Sequence, residues 1–385
     1  MSDRVLSVGI DEAGYAPRLG PLVVTVVSCE RPVGADALHQ ALAPAVACPP
    51  PRRRAPATCA RSVSFRTKVV KTMTGSAPLV IGDSKVVYRS GKGIESLERG
   101  VLAFLSAGPR PGAIRSRRPA AGDDGFPSDI DLARSLDDGL DIEGLPWYAG
   151  PPGSLPLAAS PGDLRAAAAR LSDAMAAAGI AAFSIRSRVV TARDLNGMMG
   201  SGLNKADALA RVVAGLLAGV RAASSNAAKP PIVRALVDRL GGRKDYAALL
   251  GEAFPDAEVV EDLRAERESR YAILNSGGRG ADGFRVSRAA EGAPCETGNA
   301  LRRGAHSVTF ACEAESRCLT VALASMVSKY VRELFMRRLN RFFAAGLPGI
   351  RPTAGYPVDA GRFLAQTAAF RERAGIDDGL LVRAR

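Results

Sequence analysis

The stretch from Val5 to Glu30 constrains this chain most. An apolar run, Val5, Leu6, Val8 and Ile10, delivers two adjacent carboxylates, Asp11 and Glu12, into a turn rich in Gly and Pro, and a second run, Leu22 to Val27, leads away. Two apolar runs joined by such a turn read as a hairpin, here with acid at the end of its first strand. Ionised carboxylates at the end of a buried strand are costly unless a cation meets them, and a divalent metal is the usual partner. The alternative is that Asp11 only caps the turn, as Asp often does.

Downstream, apolar spacing gives a succession of alternating elements. A short helical segment spans 35–43, and 47–60, ACPPPRRRAPATCA, is a basic loop whose prolines and arginines cannot join a sheet. Strand patterns follow at 62–70 and 79–81, the latter ending at Asp83-Ser84-Lys85, and a helix at 93–105 carries Ile94, Leu97, Val101 and Leu105 on one face. Residues 107–161 shift to Gly, Pro, Asp and Ser and read as a flexible insertion. Helices are expected at 164–178 and 204–222, and a strand at 182–191. The approach to the second helix, GMMGSGLNK, fails as a phosphate-binding loop because Leu203 stands where the required lysine would be. PIVRALVD, residues 231–238, is the clearest buried strand and ends on Asp238. A helix at 244–254 and a strand at 257–261 complete a strand–helix–strand order typical of an α/β layer. Further β segments are expected near 270–274 and 307–312. The longest helix, 319–345, has Leu323, Val327, Tyr330 and Leu334 on a face expected to pack on the sheet, and Ser325, Ser328, Lys329 and Arg332 on one expected to look at the site, with Glu333 at its edge.

With these residues in view, the chain resembles the type 2 ribonucleases H, the bacterial ribonuclease HII and its archaeal and eukaryotic counterparts. Asp11-Glu12-Ala13-Gly14 with Gly20-Pro21-Leu22-Val23-Val24 is similar to that family's opening signature. Asp83-Ser84-Lys85 resembles its Asp-Ser-Lys, and Val237-Asp238 its third acid. Ser325 to Met336 resembles its helix motif ending in Lys-x-x-Arg-Asp, with Glu333 for the Asp, and Gly355-Tyr356 resembles its late Gly-Tyr. The resemblance implies a ribonuclease H-like α/β fold: a central mixed sheet, antiparallel at the first hairpin and parallel through the strand–helix–strand region, with helices on both faces. The matches run from residue 8 to about 364 without a second motif set, so one elaborated catalytic domain, 1–385, is expected.

The resemblance also implies a chemistry. Two-metal hydrolysis of a phosphodiester needs clustered carboxylates, and oxygen ligands suit Mg²⁺ or Mn²⁺. Asp11, Glu12, Asp238 and Glu333 are the expected catalytic and metal-binding set. Asp238 could instead cap a helix, and Glu333 could instead pair with Arg337 one turn on. The expected substrate contacts are Gly14, Tyr15, Ala16, Asp83, Ser84, Lys85, Ser325, Lys329, Arg332 and Tyr356, with Tyr356 open between sugar stacking and core packing. The expected substrate is an RNA/DNA hybrid. One departure bears on that: the family has Gly-Arg-Gly where this chain has Gly14-Tyr15-Ala16, Tyr15 cannot supply arginine's charge, and Ala16 adds a Cβ where close approach is wanted. A different nucleic-acid structure is therefore the alternative substrate, and a non-catalytic nucleic-acid-binding protein the alternative class.

Charge distribution agrees with a polyanionic partner. The chain carries a formal +13, and between Ala43 and Arg118 fifteen Lys/Arg face three acids, a net of +12, leaving about +1 elsewhere. A basic segment before an acidic centre is what a phosphate backbone requires; the alternative is an Arg-rich composition without a role. Two histidines leave no imidazole-based general base in prospect, and the six cysteines contain no C-x-x-C pair, so structural zinc is not expected. No signal sequence or membrane partner is expected, and the chain reads as a cytoplasmic monomer.

Overall fold

Glycine at position 9 decides how the two main layers meet. In the computed structural model, which describes residues 4–35, 37–49, 77–88, 93–107, 125–225, 227–275, 285–288 and 306–384, Gly9 lies on β1 (Arg4–Ala13) directly beneath the start of a long helix, Leu319–Gly346. A Cβ on Gly9 would stand 2.3 Å from the backbone of both Thr320 and Val321. Backbone cannot step aside as a side chain can, so only glycine admits this approach.

The expected hairpin forms. β1 pairs antiparallel with β2 (Leu22–Pro32), with Asp11 opposite Thr25. The remaining strands in chain order are β3 (Val46–Ala47), β4 (Leu79–Val80), β5 (Ala182–Val190), β6 (Ile232–Asp238), β7 (Ala257–Arg264), β8 (Glu268–Asn275), β9 (Arg285–Arg288) and β10 (His306–Ala311). β3 and β4 make a small parallel pair, and the others join β1 and β2 in one sheet ordered β5-β2-β1-β6-β10-β8-β7-β9. β1, β6 and β10 are adjacent and parallel, so all three end at the same edge. The outer pairs are antiparallel, apart from β7 with β9. The expected class, a central mixed sheet flanked by helices, is the observed one. β6 and β7 run the same way as the strand–helix–strand reading requires, yet β10 and β8 lie between them.

Alternation along the strands splits the core. One face of the sheet buries Val8, Ile10, Val24, Val233, Val237 and Phe310 against the helices Lys205–Ser225 and Ala247–Ala253. The other buries Val23, Val27, Phe183, Ile185 and Val189 against the long helix and the helices Glu95–Ala107, Asp129–Leu136 and Pro161–Ala177.

Two expectations require correction. The stretch 107–161 is not a loose insertion where it is described: Ile130, Leu136, Trp147, Tyr148 and Leu155 are buried in the main core. The buried Glu98 carboxylate binds it down, accepting from the backbone N–H groups of Leu157, Ala158 and Ala159 at 2.6–2.9 Å and from the Tyr330 hydroxyl at 2.6 Å. Residues 108–124 lie outside the described set, as do most of the 47–60 basic loop, the 62–70 strand pattern and most of the arginines of the basic segment. Nor does the long helix present a polar face to an open site. From Leu319 to Met336 only Lys329 and Glu333 are not buried. Its small serines pack on the sheet: Ser328 Oγ lies 3.1 Å from the Asp11 carbonyl and 2.7 Å from Thr25 Oγ1, which in turn lies 2.8 Å from Ser187 Oγ.

Candidate carboxylate site

The parallel order of β1, β6 and β10 puts three strand ends side by side, the usual place for a site in an α/β sheet. Asp11 and Glu12 end β1, Asp238 ends β6 opposite Ala311 of β10, and the turn leaving β10 brings Glu315 to the same edge. Asp238 Oδ1 accepts from the backbone N–H of Ala314, the residue before Glu315, at 3.1 Å.

These acids feel one another. Burial pushes the Asp11 carboxyl well above the usual carboxylate range, and the charges of Glu12, Asp238 and Glu315 push it further, against a hydroxyl hydrogen bond from Ser325. Burial and Asp238 raise Glu12 to about 7, with Lys85 opposing. Burial, Asp238 and Asp83 raise Glu315 to about 7, again against Lys85. Asp238 is raised by burial despite the N–H groups of Ala314 and Arg239. Like charges held together in a desolvated place make binding of a cation among them favourable. The donor set is all oxygen, which fits a hard divalent cation. The carboxylates converge without closing into a shell: among the described residues no group of three or more His, Cys, Asp or Glu side chains stands at metal-holding spacing.

Glu315 is the residue the sequence reading missed. The signal was an acid in the short turn after a strand candidate, visible only to a reader who already paired that strand with β6. Glu333, expected in its place, is not gathered with the others. Its carboxylate is held by Lys329 at 2.6 Å, with Tyr88 donating at 3.3 Å and the Arg332 guanidinium 3.8 Å away. The partner is thus Lys329 one turn before it, not Arg337 one turn after.

The expected substrate contacts divide. Lys85 is exposed beside the acids; burial works to lower its ammonium, but the charges of Asp83, Glu315, Asp11 and Asp238 hold it above its usual value. Asp83 accepts from the Lys85 N–H at 2.8 Å and caps the short helix Ser84–Val87. Ser84 and Ser325 are buried and 3.0 Å apart, so they place Lys85 and Asp11 and do not face solvent. Gly14, at φ +90°, passes over the Arg332 guanidinium, where a Cβ would stand 2.6 Å from Nε. Tyr15 is half-buried and Ala16 exposed. Lys329 lies over the Tyr88 ring, 4.9 Å from its centroid.

Arg332, another of the expected substrate contacts, is buried beneath the Gly14–Gly20 loop. It is 1% exposed and donates to the carbonyls of Leu19 and Ala354 at 3.3 and 3.0 Å. Beside it Arg383, also buried, donates to the carbonyls of Gly14, Pro17 and Gly20. Burial and the Arg332 charge lower Arg383 to about 9. The two arginines bolt the Gly14–Gly20 loop from below. Tyr356 is 49% exposed at the start of the helix Pro357–Arg373, which excludes the core-packing alternative. The histidines are elsewhere: His306 begins β10 at the opposite edge, accepting from the Val233 N–H at 3.0 Å, and His39 is buried in the short helix Leu38–Ala41.

No protein-family model matches this sequence, and no curated protein does. Solved structures do. This chain is similar to ribonuclease HII from Archaeoglobus fulgidus in its complex with PCNA, at 13% identity and a TM-score of 0.36 over 99% of this chain and 94% of that one. It is similar to ribonuclease H2 from Pyrococcus horikoshii OT3, at 12% identity and a TM-score of 0.34 over 98% and 92%. It is also similar to Bst-RNase HIII in complex with Mn²⁺, at 14% identity and a TM-score of 0.35 over 94% of this chain and 62% of that one.

Proposed function

We propose that this protein is a divalent-metal-dependent endonuclease that hydrolyses the RNA strand of RNA/DNA hybrids. The observation that carries the reading is the convergence of Asp11, Glu12, Asp238 and Glu315 at one sheet edge, where burial raises all four and the charge of Asp238 raises the other three. Asp11 and Asp238, on adjacent strand ends, would hold Mg²⁺ or Mn²⁺ together with Glu12 and Glu315. Two such ions supply activation of the attacking water and stabilisation of the leaving oxygen. The chain's own residues do the rest: Lys85 meets the phosphate, Ser325 orients the Asp11 carboxylate, and Tyr88 and Lys329 line the rim.

The test offers the purified protein a hybrid, a DNA duplex with one embedded ribonucleotide, double-stranded RNA and single-stranded DNA, each with Mg²⁺ and with Mn²⁺. Cleavage of the hybrid, lost in Asp238→Asn and Glu315→Gln, is expected. No cleavage of any nucleic acid under either metal would overturn the reading in favour of a binding protein. Tyr15 in place of the family's arginine favours a second reading, in which the same centre cuts a nucleic-acid structure other than a ribonucleotide junction; hydrolysis of the hybrid but not of the embedded ribonucleotide is its outcome.

A further inference from the structure

Lys205 opens the helix Lys205–Ser225 and closes the GMMGSGLNK stretch that fails as a phosphate-binding loop. Its ammonium lies 4.8 Å from the centroid of the Tyr15 ring. Tyr15 is three residues beyond Glu12, whose charge it feels. Among the described residues no hydrogen bond or ion pair engages this ammonium. The neighbouring acid of the helix, Asp207, is taken up by Arg243. Burial and the Arg383 charge both push the Lys205 ammonium down. A partly desolvated cation, steadied by an aromatic face and left without a carboxylate, costs free energy that an arriving anion would relieve.

We propose that Lys205, seated on Tyr15, is a phosphate-binding residue that grips the nucleic-acid backbone beside the carboxylate edge. The proposal rests on the nuclease reading, and it makes the charge absent from Gly14-Tyr15-Ala16 come from a segment nearly 190 positions away. Tyr15 supplies the seat and Lys205 the charge. Being a compact point charge, Lys205 fixes the position of a phosphate without reading sequence.

The experiment is a fluorescence anisotropy titration of the full-length protein with a labelled hybrid, in Ca²⁺ at four salt concentrations. One phosphate contact contributes roughly 0.7 to 0.9 to the slope of log affinity against log salt. Lys205→Gln should lower the slope by about that amount and weaken hybrid and duplex DNA alike, whereas Lys205→Arg should keep it. Tyr15→Ala, which removes the seat and leaves the charge, should lower the slope in part, and it tests the pair even if Lys205→Gln fails to fold. A slope unchanged in both Lys205→Gln and Tyr15→Ala, with wild-type binding intact, overturns this inference and leaves the nuclease reading standing. A slope lost equally in Lys205→Arg overturns it too, because charge would not be the agent. Wild-type protein that binds no nucleic acid overturns both.

Discussion

Lys329 and Glu333 form an ion pair at 2.6 Å on one face of the long helix, four residues apart. With Tyr88 also donating to the carboxylate, Glu333 is engaged at the rim while Glu315 stands with Asp11 and Asp238.

This makes the two glutamates separable. Glu315→Gln should reduce metal-dependent cleavage beyond the about 10–100-fold typical of outer-shell partners. Glu333→Gln should cost at most a few-fold, since it leaves the four strand-edge carboxylates in place. Single-turnover cleavage of a labelled hybrid measures both, and the reverse ranking would return the catalytic role to the helix.

The raised carboxylates also set a pH dependence. Glu12 and Glu315 stand at about 7 in the folded protein against an ordinary 4.5. Between those values the folded state binds more protons than the unfolded one, so stability without metal falls as pH rises through this window. Thermal unfolding in EDTA should therefore show Tm declining between pH 5 and 7.5, with Mg²⁺ restoring it at pH 8. Glu315→Gln should raise Tm at pH 8 in EDTA by about 1–3 °C, and should gain little at pH 5. A Tm that climbs from pH 5 to 7.5 in EDTA would contradict the electrostatics described here.

Gly9→Ala tests the contact between layers. The added methyl meets backbone atoms of Thr320 and Val321 at 2.3 Å, so the helix must move away from β1 at a cost of about 1–3 kcal/mol or more. Chemical denaturation should show a lower midpoint at unchanged slope.

Arg383→Met tests the bolts under the loop. It strands the carbonyls of Gly14, Pro17 and Gly20, each buried acceptor worth about 1–3 kcal/mol when left unpaired. A Tm lowered by several degrees is expected, together with weaker hybrid binding. Arg383→Lys, a single point charge, should recover only part of either.

The hairpin, the Asp238 strand and the long helix were legible because each announces itself locally, through alternation, a buried apolar run or a period near 3.6. Glu315 was not, because its role depends on β10 lying beside β6, and that pairing joins segments about 70 residues apart. The stripe of Ser325 and Ser328 reads as a face looking at the site because serine is polar, but small hydroxyls that can reach a carbonyl or another hydroxyl also suit a close helix–sheet contact. The region around Trp147 was read as loose from its Gly and Pro content. The Glu98 carboxylate, distant in sequence, supplies the hydrogen bonds that tie part of it down.

The bond from Arg383 to the Gly14 loop spans 369 positions. During synthesis Asp11 and Glu12 are made about 370 residues before Arg383, and the loop beside them stays without its floor until the Asp377–Arg383 segment arrives. A nascent chain therefore carries the acids long before it carries a finished edge for them, and that edge is complete only once Arg383 is packed beneath the loop.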